Sequence, residues 1–325
     1  MPEVLIIGAG LSGLIAAQEL TRLDHDVLIV DKGRSPGGRL ATRRIDDATL
    51  DHGAQFFTVR DPGFSAQVEH WLTDGVVTEW CRGFGEPDGY PRYRAEGGMN
   101  RLARHLSRGI DIVTGVRAQA TIAGSDGWTV TYDGANREPD DAVAVIATPP
   151  VPQSLEILDA GPVRLDEEHH ALRSLRYHKV IALLMTTDRR PDLGPTGARQ
   201  TPGDPDFSFI ADNHVKGISA SPALTFHVAH QRSDELWEAS NHELVEHLLP
   251  LACEAVGLSS TDVGTAQIKK WRYSGPVEPW PDRCAVVAAS PGPLVLAGDA
   301  FGGPKIEGAY LSGLAAATAV ASLLG

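Results

Sequence analysis

Cysteine is scarce. Cys81, Cys253 and Cys284 are the three in the chain, far apart and without C-x-x-C spacing. An odd number with no framework excludes a disulfide scaffold and fits a reducing cytoplasm; each thiol reads as a small buried hydrophobe. Positive charge is also short. The 29 Lys and Arg face 42 Asp and Glu, a net charge of -13, which argues against general attraction to nucleic acid or to an anionic membrane. Any phosphate must therefore be held by a local device. Metal-ligand spacing is missing too. His227 and His230 stand three apart in a strand-like run and so point to opposite faces, while His169–His170 and His242/His247 have no cysteine or carboxylate at ligand spacing. No metal site is expected. A membrane-spanning helix needs about 20 apolar residues, and two apolar stretches could be mistaken for a membrane signal. Val4–Ala17 is too short and has no basic region before it, and Gly308–Leu324 opens after Glu307, is rich in Ala and Gly, and reads as a packed helix.

What the chain does have is an ordinary globular composition. Hydrophobic residues make up 42% and charged residues 22% of 325 positions, enough for roughly two domains of about 100–200 residues. Val4-Leu5-Ile6-Ile7 is a continuous apolar run, as a strand buried on both faces requires. Gly8-Ala9-Gly10-Leu11-Ser12-Gly13 follows, then a helix over about Leu11–Leu23 and a strand Asp26–Val30 closed by Asp31. A helix is expected near Met99–Leu106. Ile110–Val116, Ala118–Ile122 and Trp128–Tyr132 alternate like three strands of one antiparallel meander. Val143–Ala147 is a further buried strand, stopped by Thr148-Pro149-Pro150.

Farther on, Tyr177–Thr186, Phe207–Ala211, Leu224–Ala229 and Val263–Tyr273 read as strands, with a helix near His242–Val256. Asp188–Asp206, broken by four prolines, reads as one long surface loop, with a lid as the alternative. Leu294–Ala297 and a helix from Gly308 return to the first domain. The expected fold is α/β: a Rossmann-type dinucleotide-binding domain with an inserted α+β substrate domain on a mostly antiparallel sheet. The expected division assigns 1–72, 95–150 and 281–325 to the first and 73–94 and 151–280 to the second.

The chemistry is carried first by Gly8-x-Gly10-x-x-Gly13 in its full context, with a strand before, a helix after and an acid 21 positions beyond Gly10. Gly8 permits the tight turn, Gly10 lets a pyrophosphate approach the backbone, and Gly13 allows close helix–strand packing; Asp31 would accept from a ribose diol. Two further elements favour FAD over NAD. Gly37-Gly38-Arg39 can pass close to the pyrophosphate with Arg39 as a phosphate partner. Near the other end, Gly298-Asp299 can hold a ribityl hydroxyl, and a helix from Gly308 can aim its dipole at the flavin N1–C2=O edge. Lys32, Arg34, Arg39, Arg43 and Arg44 add five cations within 13 residues.

This combination resembles the amine-oxidase-type FAD flavoproteins, and within them the renalase family. The likeness rests on Leu5–Lys32, Gly37–Arg39 with Thr42 and Arg44, and Leu50-Asp51-His52-Gly53-Ala54-Gln55-Phe56-Phe57-Thr58 with Arg60-Asp61. Glu79-Trp80, Gly97-Gly98-Met99 and Val145–Pro149 are weaker echoes. Lys270-Trp271-Arg272-Tyr273, Ala297-Gly298-Asp299 and Glu307–Gly313 complete it. The resemblance implies noncovalent FAD, in keeping with Gly302-Gly303-Pro304-Lys305-Ile306, which offers no Cys or His to tether a flavin. It implies cofactor contacts at Gly8, Gly10, Leu11, Ser12, Gly13, Asp31, Lys32, Gly38, Arg39, Ala54, Gln55, Phe56, Val116, Gly298, Asp299, Glu307, Gly308 and Ala309.

The implied reaction is oxidation of isomeric dihydronicotinamide dinucleotides, the 2- or 6-dihydro or α-anomeric forms of NAD(P)H, to NAD(P)+. O2 is the electron acceptor and H2O2 the product. Hydride transfer to flavin N5 needs stacking and water exclusion rather than a protein nucleophile, so the lack of a Ser-His-Asp or Cys-His arrangement is expected and no catalytic side chain is assigned. Substrate-pocket candidates are Gln55, Phe56, Tyr93, His230, Trp271, Tyr273 and Tyr310, with Arg94. Gln231-Arg232-Ser233 and Ala95-Glu96-Gly97-Gly98 depart from the family pattern on the substrate side. The alternatives are a small flavin amine oxidase or desaturase, for which Lys179, Lys269 or Lys270 could serve at the flavin, and a flavin-binding protein without turnover.

Overall fold

Val4–Ile7 (β1) is buried at all four positions, the pattern of a strand covered on both faces. In the computed structural model, which describes residues 2–85, 88–134, 137–303 and 305–325, β1 is an inner strand of a six-stranded sheet. The order is Ala285–Ala288, Leu294–Leu296, Ala144–Ala147, β1, Val27–Asp31 (β2) and Asp111–Thr114. Four of its pairs are parallel, with Val4 beside both Ala144 and Val27. The hairpin of 285–288 with 294–296 is antiparallel.

Leu11–Arg22 (α1) leaves β1 through the glycine turn and buries Leu11, Leu14, Ile15 and Leu20. The C-terminal helix Lys305–Leu324 packs on α1. Gly313 makes that approach possible, since a Cβ there would lie 2.5 Å from the Ser12 carbonyl oxygen. This helix is long and apolar enough to cross a membrane by length and composition, but 44% of its apolar window is buried within the fold.

Two compact units result. One comprises Met1–Arg39, Leu102–Arg176 and Gly275–Gly325, the other Leu40–Arg101 and Tyr177–Ser274. The second is built on a five-stranded sheet in the order Ala198–Gln200, Phe207–Asp212, Ala223–Val228, Tyr177–Thr187 and Val263–Pro276, with Asn241–Val256 covering Leu183, Phe226 and their neighbours. A capping box, Ser240 with Glu243, starts that helix and Gly257 in the left-handed region ends it.

These boundaries lie elsewhere than in the expected division. Residues 40–72 and 95–101 fall in the second unit, 151–176 and 275–280 in the first. The reason is packing. In the hairpin Thr42–Ile45 (β3) and Ala48–Asp51 (β4), Ile45, Ala48 and Leu50 close on Leu184 and Ala223, and helix Val151–Ala160 packs on strand Ala118–Ala123.

Several local expectations are corrected. Asp111–Thr114 is an edge strand parallel to β2, and the third strand of the meander is Asp140–Ala142. The proline-rich loop contains a short strand, Ala198–Gln200, paired with Phe209–Ala211. The strand expected to reach His230 stops at Val228, and His230 opens a short helix, His230–Glu235. The last helix begins at Lys305, one turn before Gly308. Pro304, named above in the untethered loop, lies outside the described residues.

Candidate functional site

In the first unit a dinucleotide cradle forms at the C-terminal end of β1. Gly10 is the N-cap of α1 in an extended conformation, with no side chain capping the helix. The first intrahelical bond runs from Leu14 N–H to the Gly10 carbonyl, so the N–H groups of Leu11, Ser12 and Gly13 stand outside the ladder with the positive end of the helix dipole. Gly8 has φ +103°, and its hypothetical Cβ would lie 2.5 Å from Thr148 Oγ1. A Cβ on Gly13 would lie 2.0 Å from the Gly8 carbonyl oxygen, whereas one on Gly10 meets nothing within 4 Å. The space in front of the helix start is therefore open at the position where the fingerprint places a pyrophosphate.

Asp31 ends β2 and accepts from the N–H groups of Ala9 (2.6 Å) and Gly33 (2.5 Å). Each carboxylate oxygen keeps further acceptor capacity, so Asp31 can order the glycine turn and still receive a ribose hydroxyl. Val116 gives its N–H to the Asp31 carbonyl. Gly37 donates to the Ala9 carbonyl, and Gly38 (φ +52°) would place a Cβ 3.5 Å from Gly10 Cα.

Arg39 and Asp299, expected on phosphate and ribityl respectively, are joined to each other by two hydrogen bonds of 2.5 and 2.7 Å. Ser12 Oγ donates to the Ala309 carbonyl, and Ser312 Oγ accepts from Gly298 N–H. The last helix thus hangs on the fingerprint helix and on the Gly298 loop. Its start at Lys305 makes Gly308 the last of the first-turn N–H groups rather than the first. Lys32 Nζ donates to Gln153 Oε1. Arg43 and Arg44 are exposed on β3.

The second unit holds a buried polar network that local sequence did not reveal. Asp51, at the end of β4, and Lys216 are fully buried and paired at 2.8 Å. The other Asp51 carboxylate oxygen accepts from Thr42 Oγ1 (2.6 Å) and Met99 N–H (2.8 Å). Gln55 is locked within it: Oε1 accepts from Lys216 Nζ at 3.2 Å and Nε2 donates to the Asp51 carbonyl at 2.7 Å. Beside this network sit Phe56, Trp80, Phe84 and Phe209, with ring centroids 5.0–6.3 Å apart. Lys216 Nζ lies 5.1 Å from the Trp80 ring centroid and Arg92 Cζ 5.2 Å from that of Phe84.

The other pocket candidates each have their own contacts. Ala54 is half-buried between His52 and Gln55 in sequence. Trp271 donates its indole N–H to the His52 carbonyl (2.7 Å) and stacks on the His52 ring. Tyr273 meets Tyr177 edge-on. Tyr93 stacks on Phe57, and Arg94 lies 3.2 Å from Glu96. His230 stacks on His178 at 4.2 Å at the start of its short helix. Tyr310 and Glu307 belong to the first unit. Of the lysines considered from sequence, Lys179 pairs with Asp234, Lys270 caps the Trp237 and Ala239 carbonyls, and Lys269 lies near His52. The buried lysine is Lys216, whose turn composition, Asp212 to Gly217, carries no sign that its side chain points inward.

One expectation about metal ligands is also corrected. Asp166, Glu168 and His169 bring three possible ligand atoms within 4.8 Å of one another, with both carboxylates exposed. The chain folds back there through a 3-10 turn, Glu167–Ser174, which spacing alone did not show.

Two histidines beside the network are held neutral. Burial, helped by Lys269, pulls His52 down to about 4; burial and Lys216 bring His227 to about 4. Between pH 6.5 and 4 the unfolded chain therefore binds protons that the folded one does not, so these two groups cost stability as the pH drops through that window, and their penalty is complete below it. Each histidine contributes at most about 3 kcal/mol. Urea titrations at neutral pH and near pH 4.5 should show this loss, and His227→Phe should remove about half of it.

Comparison with known proteins agrees with the cradle. A model of the NAD(P)-binding Rossmann-like domain matches residues 6–73, and the model of the flavin containing amine oxidoreductases matches residues 64–321. The chain belongs to the flavin containing amine oxidoreductase family, and its cofactor is FAD. Cyclohexylamine oxidase from Brevibacterium oxydans IH-35A superposes with a TM-score of 0.71 at 15% identity, covering 99% of both chains. Wild-type putrescine oxidase bound to putrescine gives 0.74 at 16% identity, again over 99% of both. At such identities the likeness is one of fold.

Among curated relatives, hydroxyneurosporene desaturase of Rubrivivax gelatinosus is 40% identical over 58 residues, 18% of this chain and 11% of its own length. Lysine-specific histone demethylase 1 homolog 1 of Arabidopsis thaliana is 43% identical over 62 residues, 18% of this chain and 7% of its own. The chain thus matches about a tenth of the length of these relatives.

Proposed function

We propose that this chain is an FAD-dependent oxidase that acts on isomeric dihydronicotinamide dinucleotides and returns them to NAD(P)+, with O2 reduced to H2O2. The observation that carries this reading is the charge on the aromatic cluster. Rings that would attract a protonated amine through their faces already carry the protein's own cations, Lys216 over Trp80 and Arg92 over Phe84. Asp51, the counter-ion of Lys216, is tied on its far side by Thr42 and Met99. Arg92 is likewise paired, with Asp88, so these ring faces are already satisfied and offer a protonated amine little, while a neutral dihydropyridine ring on an anionic dinucleotide can pack against their free edges.

When bound, FAD supplies the two-electron acceptor. The residues of the first unit that would hold it are the N–H groups of Leu11, Ser12 and Gly13 at the pyrophosphate and Asp31 at a ribose diol. Phe56, Trp80, Phe84 and Phe209 would stack a planar ring and exclude water, which is what a hydride donor needs from the protein. We place the enzyme in the cytoplasm on the strength of its unpaired thiols.

A second reading, an oxidase of small amines, is favoured by the family match and by the amine oxidases among the structural neighbours. Anaerobic mixing of the yellow protein with 6-dihydro or α-anomeric NADH and, separately, with a panel of amines separates the two. Bleaching by the dinucleotides, followed by recovery and stoichiometric peroxide on admitting air, is expected. Bleaching by amines alone would transfer the assignment to the second reading.

A further inference from the structure

Asp51 is bound at every polar atom it has. Its N–H donates to Asn213 Oδ1, its carbonyl accepts from Gln55 Nε2 and Thr225 Oγ1, and its carboxylate holds Thr42, Met99 N–H and Lys216. Lys216 is set with equal care. Asp212 Oδ1 accepts from the N–H groups of His214 and Val215, and the Asp212 carbonyl accepts from Lys216 N–H. Gly217 follows at φ +83°, where a Cβ would lie 2.8 Å from Arg94 Nη2. A turn this constrained sends one ammonium group inward to a single carboxylate.

An ion pair buried to this degree is a poor stabiliser, because desolvation offsets most of the attraction. Its geometric effect is larger. The ammonium bridges Asp51 and the Gln55 side-chain oxygen Oε1, so the segment from Asp51 to Phe56 is pinned at its start and at the residue before Phe56. Phe56, next in the chain, then has one place among Trp80, Phe84 and Phe209.

We propose that Asp51 and Lys216 are positioning residues whose role is to hold Phe56 where the substrate ring stacks. The proposal rests on the reading that the aromatic cluster takes the substrate. Stability and position should therefore separate. In Asp51→Asn/Lys216→Met neither buried partner is left as a lone charge, so the protein keeps its fold, but the pin is gone. The test uses the FAD-loaded full chain with 4-fluorophenylalanine at Phe56, read by 19F NMR, together with steady-state kinetics on the dihydropyridine.

A single sharp resonance is expected for the otherwise native chain, and a shifted or broadened one for the double variant. KM should rise while kcat/KM falls by about a hundredfold, the usual effect of a displacement of about 1 Å. Lys216→Gln, read at a temperature where circular dichroism shows it folded, should lie between the two. A folded variant with a native resonance and native kinetics would overturn the proposal. If the native chain does not turn over dihydropyridines, the NMR arm still decides about Phe56, and the substrate reading fails separately.

Discussion

Gly10→Val protein is expected to be soluble, folded and colourless. Gly10 sits in extended backbone that any residue adopts, and its hypothetical Cβ meets no protein atom within 4 Å, so the fold has no reason to object. The valine would fill the space in front of the Leu11–Gly13 N–H groups. Hydrogen bonds to a charged phosphate are worth about 1.5–3 kcal/mol each, so losing two weakens FAD by at least about a hundredfold.

Gly13→Val makes the contrast. There the Cβ would lie 2.0 Å from the Gly8 carbonyl oxygen and 3.2 Å from Thr148 Oγ1, and two backbone segments cannot part without breaking the β1–α1 packing. That variant should be insoluble. Visible absorbance and circular dichroism on the purified proteins read both outcomes. Full flavin content in Gly10→Val would mean that the pyrophosphate is held elsewhere.

The second large effect concerns the buried pair. Lys216→Met leaves Asp51 as a lone carboxylate at zero exposure, a change that destabilises by about 3–5 kcal/mol. Asp51→Asn added to it should restore much of the loss, because the two sites share one interaction, so the double variant should be more stable than Lys216→Met alone. A urea-denaturation double-mutant cycle measures this. Additive losses would show that the two side chains do not act as a pair. Burial lowers Lys216 from the usual lysine range while Asp51 opposes the shift, and the cycle reports the balance.

Legibility from sequence differed sharply between the two constellations. The cradle is made by residues within one strand–turn–helix unit. Its geometry follows from local rules: glycine where φ is positive or the approach is close, a helix start with free N–H groups, and an acid closing the next strand. Even there a long-range choice intervened. Arg39 and Asp299, 260 positions apart, bind one another, and neither offers a local sign of the other. In the second unit, Phe56 was a candidate because of its motif, but Trp80, Phe84 and Phe209 are spread over 130 positions and joined only by the sheet. His230 looked like a strand residue because its strand ends two positions earlier without a break in composition.

By itself, then, the order of residues determined the parallel core sheet around β1, the glycine turn, and a flavin-binding family with a second, largely antiparallel unit. Each is a matter of periodicity or of backbone conformation that neighbouring residues impose. The tertiary structure decided which lysine is buried, what faces it, and where β3–β4 and helix Val151–Ala160 close their apolar faces. Ammonium burial is set by what surrounds the side chain in space. Asp51 meets Lys216 across 165 residues, and no spacing rule reaches that far.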